Sequence, residues 1–194
     1  MKYDPDKHHR RSIRLREYDY STTGAYFVTI CAQGRACLFG EVRDGAMWLN
    51  DAGRMLSESL LKLPGKFPGV ALDEYMIMPN HFHGIICIVG APLAAPDFEL
   101  RHMNKGAEIT NQGAASSAPT LGSIMRVFKS MSAIDVNRVL DRSGVPVWQR
   151  NYYERVIRDE WELDAARKYI LENPIKWDLD RENPQNAQQT TNNA

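Results

Sequence analysis

The sequence has no excess of charge of either sign: 24 Lys and Arg balance 24 Asp and Glu across 194 residues. A basic coat that holds nucleic acid by charge alone is therefore absent, and any such contact must come from local segregation of charge. Cysteine is scarce. Cys31, Cys37 and Cys87 are odd in number and no Cys-x-x-Cys occurs, which argues against a disulfide framework and against a cysteine zinc knuckle. Reduced, buried thiols are the expectation. Long apolar runs are missing too. The longest, Ile85 to Val89, has strand length, well short of the roughly 20 residues that a bilayer span needs. The amino terminus is polar and charged and lacks the apolar core of a signal peptide. Together these absences predict a cytoplasmic protein with no membrane partner.

What is present starts with a segregated charge. Lys2, Lys7, Arg10, Arg11, Arg14 and Arg16 fall in the first sixteen residues, with His8 and His9 among them and only Asp4 and Asp6 against them. Residues 1–21 read as a basic leader. A β-branched and aromatic run, Ala25 to Cys31, predicts a strand. Leu38 to Val42 and Ala46 to Leu49 predict a hairpin around Asp44-Gly45. Asn50 or Asp51 caps a helix that carries Met55, Leu56, Leu60 and Leu63 at helical spacing, with Pro64-Gly65 as its stop. Ala71 to Met78 and His81 to Val89 read as antiparallel strands joined at Pro79-Asn80. Both faces of the second are apolar beyond its histidines, as in a covered central strand.

Gly90 to Thr120 is rich in Ala, Pro, Gly, Ser and Asn and has no periodicity, so it reads as a mobile insert with His102 solvated in it. Ile124, Val127, Phe128, Met131, Ile134 and Val139 predict a helix from about Gly122 to Leu140. Arg126, Lys129 and Arg138 fall off its apolar stripe. Val147 to Ile157 is extended and aromatic. A last helix runs from Asp159 or Glu160 to Glu172 and ends before Pro174, and residues 178–194 read as a disordered tail. The order predicts one α+β domain over residues 22–177, an antiparallel sheet with helices on one face.

The chemistry concentrates at His81-Phe82-His83. Side chains two apart on a strand leave from one face, so both imidazoles point the same way. Two imidazoles are half of a metal site; alone, they read more readily as two polar residues at a strand start. A third ligand must come from elsewhere, an oxygen donor for Mg²⁺ or Mn²⁺. Tyr169 and Asn173, four apart, share a face of the last helix. Glu154, Glu162 and Glu172 are rival ligands on the same grounds.

An ordered set of motifs carries a resemblance. Tyr18-x-Tyr20, Gly24 to Thr29, Met78-Pro79-Asn80-His81-Phe82-His83, Trp148-Gln149-Arg150, Val156-Ile157-Arg158 and Tyr169 to Trp177 together resemble the single-tyrosine transposases of the HUH endonuclease superfamily. The branch most similar is that of the REP-associated tyrosine transposases. The resemblance implies a sheet of ferredoxin/RRM-like topology, with His81, His83 and Asn173 as ligands of Mg²⁺ or Mn²⁺. It implies Tyr169 as the nucleophile that nicks hairpin-bearing single-stranded DNA, such as repetitive palindromic elements, through a 5′-phosphotyrosine link. Arg10, Arg11, Arg14, Arg16, Arg126 and Lys129 are then the candidates for gripping DNA, and Trp148, Tyr152 and Tyr153 for stacking on unpaired bases or for core packing. Two other readings stand beside it: a catalytically silent hairpin-binding regulator on the same fold, and an unrelated metal phosphoesterase built on His-x-His. Monomer and homodimer both remain open. The absence of glycine between Val147 and Tyr169 favours a tyrosine acting within its own chain.

Overall fold

The computed structural model describes residues 22–89 and 119–186. The basic leader with Arg10, Arg11, Arg14 and Arg16, the body of the 90–120 segment with His102, and residues 187–194 lie outside the described residues.

Four strands form the main sheet: β1 (Gly24–Cys31), β4 (Val70–Ile77), β5 (His81–Ile88) and β6 (Tyr153–Ile157). They lie in the order β4-β5-β1-β6, every neighbouring pair antiparallel. With α1 (Asp51–Leu61) between β1 and β4, and α3 (Leu121–Val139) between β5 and β6, this is the βαββαβ connectivity of the expected ferredoxin-like topology. The small hairpin of β2 (Gly40–Arg43) and β3 (Ala46–Leu49) stands apart from the sheet. Its turn is the predicted one. Asp44 and Gly45 both have positive φ, 51° and 72°, the backbone that a two-residue hairpin turn demands.

Local chemistry starts each long helix. Asn50, Thr120 and Asp159 each accept a hydrogen bond from the backbone N–H three residues on, an N-cap that contributes about 1 kcal/mol. α1 ends at Leu61, and the predicted stop Pro64-Gly65 lies instead inside a one-turn helix α2 (Leu63–Lys66) that follows at once, with proline near its start, where a missing N–H costs nothing.

Period-2 alternation separates the two faces of the sheet. Tyr26, Val28, Ile30, Phe82, Ile86 and Ile88 are buried against Leu56, Leu60, Ile124, Met125 and Phe128 of α1 and α3. The opposite face of β5 presents His81, His83, Ile85 and Cys87. There α4 (Glu160–Glu172) lays Leu163 and Ile170 over Ala71, Ile85 and Cys87. The sequence predicts helices on one face; α4 takes the other, because the second face of β5 is apolar too and must be covered.

Three further expectations change. The 147–157 stretch is strand only from Tyr153; Trp148 makes an isolated bridge to Ala32. Cys37 is exposed rather than buried, with Cys31 partly covered and Cys87 buried. The ordered chain also runs past residue 177. Asn173 keeps helical angles although proline follows, and a 3₁₀ turn, Pro174–Leu179, leads into a strap, a turn and then a helical stretch, through Asn186. Asn183 and Asn186 hold that strap by donating to the carbonyls of Trp177, Asp178 and Asp180. A polar composition reads as a tail, yet here asparagine side chains replace secondary structure as partners of the backbone.

Candidate metal and tyrosine site

Strand register builds the site floor. Met76, His83, Thr29 and Tyr153 are successive cross-strand partners on β4, β5, β1 and β6, and Cys31 faces His81 one step along. Neighbours of this kind share a face of the sheet. His81 and His83 therefore rise from the middle of the sheet beside Thr29, both buried.

The two imidazoles converge. Their Nε2 atoms are 2.9 Å apart. Two ligand atoms about 2.1 Å from one cation and at right angles to each other lie about 3 Å apart, so this spacing fits a shared ion. Each Nδ1 has a partner behind it: Asn80 Oδ1 at 2.9 Å for His81 and Thr29 Oγ1 at 2.7 Å for His83. That is how metal-binding histidines are oriented. Burial favours the neutral rings that can act as ligands. Desolvation, then the charge of His81, pushes His83 well below its ordinary pKa. Desolvation also lowers His81, against the pull of Asp180 and Glu182.

The last helix lies over these histidines. The Tyr169 ring centroid is 5.2 Å from that of His83 and 5.8 Å from that of Phe27, both edge-on. The residue is half-exposed and lines an open cleft of about 880 Å³ together with Thr29, His83, Tyr153, Trp161 and Asn173. Burial and then the Asp180 carboxylate raise the Tyr169 pKa, while a hydrogen bond from Asn173 works the other way. Asn173 itself is 3% exposed, and its Oδ1 has no hydrogen-bond partner. A buried carbonyl oxygen without a donor costs about 1–3 kcal/mol. A cation would supply the missing partner. The residues present thus fit a divalent metal: two imidazole nitrogens and a choice of oxygen donors.

A second oxygen donor comes from the strap, which the sequence reading cut off. Asp180 Oδ2 lies 3.8 Å from His81 Nε2. His81, His83 and Asp180 place their ligand atoms within 4.8 Å of one another, the one such group among the described residues. Glu182 anchors the strap. Its carboxylate accepts from the Cys31 thiol and pairs with Arg35, and its carbonyl accepts from Asn80 Nδ2. Nothing in the local sequence marks Asp180, since even the nearby Leu179 is 85% exposed.

The rival carboxylates are otherwise engaged, although Glu162 lines the same cleft. Glu162 is engaged by Arg155 at 2.7 Å and by the Arg158 N–H, Glu172 pairs with Lys176 and Lys168, and Glu154 is buried on strand β6. The Cys31 thiol is pushed up to about 12 by burial and by Glu182, so it stays protonated and is a poor nucleophile. Of the DNA candidates, Arg126 is exposed on α3. Lys129 donates to the Gln149 and Arg150 carbonyls at 2.6 and 2.9 Å, tying a loop to α3. Trp148 is core: its indole N–H donates to Ser132 Oγ, and its rings meet Phe39 and Phe128. Tyr152 packs against the same core. Tyr153, 48% exposed, is the one of the three that lines the cleft.

No family model matches the sequence. A protein of Haemophilus influenzae, itself uncharacterized, is 40% identical over 183 residues, covering 93% of this chain and 96% of the relative. The chain belongs to the same family as that protein. Among solved structures, the fold recurs in a REP-associated tyrosine transposase bound to a REP hairpin, with TM-score 0.51 and 19% identity over 85% of this chain and 74% of that one. At that identity the likeness carries the fold, not the activity. A provisionally assigned transposase of Deinococcus radiodurans R1 aligns at TM-score 0.43 and 15% identity over 82% of this chain and 95% of that one, too distant to add weight. Among the described residues no helix is long and apolar enough to cross a membrane.

Proposed function

We propose that the protein is a metal-dependent enzyme that nicks and rejoins hairpin-bearing single-stranded DNA through a tyrosyl intermediate. The observation that carries this reading is the Tyr169 ring lying edge-on 5.2 Å from His83 of the buried histidine pair, with Asn173 lining the same cleft. A phenol placed on a helix over a histidine pair has little structural reason to face an open cleft. The shared fold with a transposase that binds a REP hairpin points the same way.

In this reading His81 and His83, with Asn173 or Asp180, hold a divalent cation. When bound, the cation supplies Lewis-acid stabilisation of the charge that builds on the scissile phosphate. The chain's own residues do the rest. The wall of α4 and the cleft floor orient the strand so that Tyr169 Oη lies in line with phosphorus. The Oη–P bond forms as the P–O3′ bond breaks. The phenolic proton leaves to the solvent of the cleft and the 3′-oxygen takes one up. The 5′-phosphotyrosine keeps the energy of the phosphodiester, so a 3′-hydroxyl can reverse the step and join strands without a nucleotide cofactor. The raised pKa of Tyr169 keeps the free enzyme's phenol protonated at neutral pH, which leaves activation to substrate and cation.

The test is a denaturing gel of the protein with end-labelled hairpin single-stranded DNA and Mn²⁺ or Mg²⁺. A covalent adduct is expected with the wild type and none with Tyr169→Phe. Hairpin binding without cleavage in any metal supports a silent regulator instead. Cleavage that survives Tyr169→Phe would falsify the nucleophile.

A further inference from the structure

The hydrogen bonds behind the two histidines differ in what they leave free. Asn80 Nδ2 donates to two backbone carbonyls, Arg35 O at 3.1 Å and Glu182 O at 2.6 Å. Both acceptors are main chain, so the amide has one orientation, with Oδ1 towards His81. An amide oxygen only accepts. His81 Nδ1 must then carry the ring proton, and its Nε2 presents a lone pair. No such constraint acts on His83. Its Nδ1 meets a threonine hydroxyl at 2.7 Å, which can either donate or accept.

The 2.9 Å contact between the two Nε2 atoms decides which. With a lone pair already on His81 Nε2, a second lone pair facing it leaves both unpaired in a buried place. If His83 carries its proton on Nε2, every group is matched. The Thr29 hydroxyl donates to His83 Nδ1, His83 Nε2–H donates to His81 Nε2, His81 Nδ1–H donates to Asn80 Oδ1, and the amide donates to two carbonyls. A cation shared by both Nε2 atoms requires the other tautomer of His83. Its proton must then sit on Nδ1, donated to Thr29, and the threonine O–H must turn away. Thr29 lines the cleft, so its hydroxyl has solvent to turn to.

We propose that Thr29 is a positioning residue for cation binding: its hydroxyl reverses from donor to acceptor, so that His83 moves its proton from Nε2 to Nδ1 and frees a second ligand nitrogen. One proton leaves Nε2 and one arrives at Nδ1, so the ring stays neutral and no bond other than N–H changes. Asn80 is the fixed end of the chain and Thr29 the adjustable one. The inference rests on the metal-binding half of the function proposed above and not on Tyr169 or on DNA.

The experiment uses the full chain and the cation alone. Mn²⁺ affinity is measured by calorimetry for the wild type, Thr29→Ser and Thr29→Val. Valine keeps the β-branched shape and the strand preference but has no hydroxyl. We expect Thr29→Val to bind about 10–100-fold more weakly, the loss typical of a missing partner behind a ligand histidine, and Thr29→Ser to bind close to wild type. Nitrogen-15 spectra of the imidazoles give the second readout, which a purely structural role would not move. In the metal-free protein His83 should carry its proton on Nε2, and on Nδ1 once Zn²⁺ is added as a diamagnetic probe; His81 should carry Nδ1–H in both. A metal-free His83 already protonated at Nδ1, or wild-type affinity in Thr29→Val, overturns the proposal. Absence of cation binding by the wild type overturns it together with the metal site. A missing DNA adduct with these readouts intact would sink only the assigned nucleophile.

Discussion

The two faces of the sheet are built to opposite ends. Among the described residues, a continuous apolar core of twenty-one buried residues lies against α1 and α3, and the corresponding cluster beneath α4 has five. The first face has the larger part of the hydrophobic stabilisation. The second holds what a core normally excludes: two buried neutral histidines, an asparagine oxygen without a donor, and a half-exposed tyrosine. The difference teaches that the buried polar groups are tolerated because the other face holds the sheet together. It also teaches why α4 needs polar anchors. Arg167 grips Asp73 through two bonds of 2.8 and 2.6 Å, and Asp73 sits where the β4 register shifts, a bulge that aims a side chain off the ladder.

Three measurements test whether the two faces act independently. The largest effect belongs to the core face. Phe128→Ala removes a fully buried ring in contact with Phe82 and Trp148. It should cost about 3–5 kcal/mol in denaturant unfolding, with Mn²⁺ affinity of the surviving folded fraction little changed. If metal binding fell in step with stability, the two faces would not be independent.

Acid should act through the site face. Both histidines have folded pKa values below their ordinary one, His83 well below, chiefly through burial. Above about pH 6.5 both the folded and unfolded states are neutral there. As pH falls below that, the unfolded chain takes up protons that the folded one resists, so stability is lost on acidification. Stability against pH should therefore decline below about 6.5 in wild type, and less steeply in His83→Gln. An identical profile in that variant would rule out the histidines as the cause.

The smallest effect should come from the anchor. Asp73→Asn weakens the grip on Arg167, which is 38% exposed in its side chain; screening limits the loss to about 1 kcal/mol or less. Amide exchange should quicken in α4 while α1 is unaffected. Uniform quickening of both helices would mean that α4 unfolds only with the whole domain.

Much of this was legible in the residues. The period-2 pattern of His81 to Val89 placed the histidines together and the strand at the centre of the sheet, because side-chain alternation in a strand is a local geometric fact. Asp44-Gly45, Asn50 and the ends of α4 were readable for the same reason, being set by turn and cap chemistry within a few residues. Thr29 was not. Its role depends on which strand pairs with β5 and in what register, and nothing within β1 states that. Asp180 was lost because solvation is the default for an Asn-rich, acidic stretch; only its docking on Asn80, Cys31 and Arg35 orders it.

By itself the sequence determined the element order, the histidine pair on one strand face, and the tyrosine and asparagine on one helix face. Spacing along a regular backbone dictates those. The tertiary structure alone decided that α4 crosses to the histidine face. It decided that Asn80 fixes one imidazole while Thr29 leaves the other adjustable, and that a carboxylate from beyond the last helix returns to the site. Two of those contacts, Thr29 to His83 and Asn80 to Glu182, join residues 54 and 102 positions apart, and only packing the second apolar face of β5 brings such distant groups within hydrogen-bond reach.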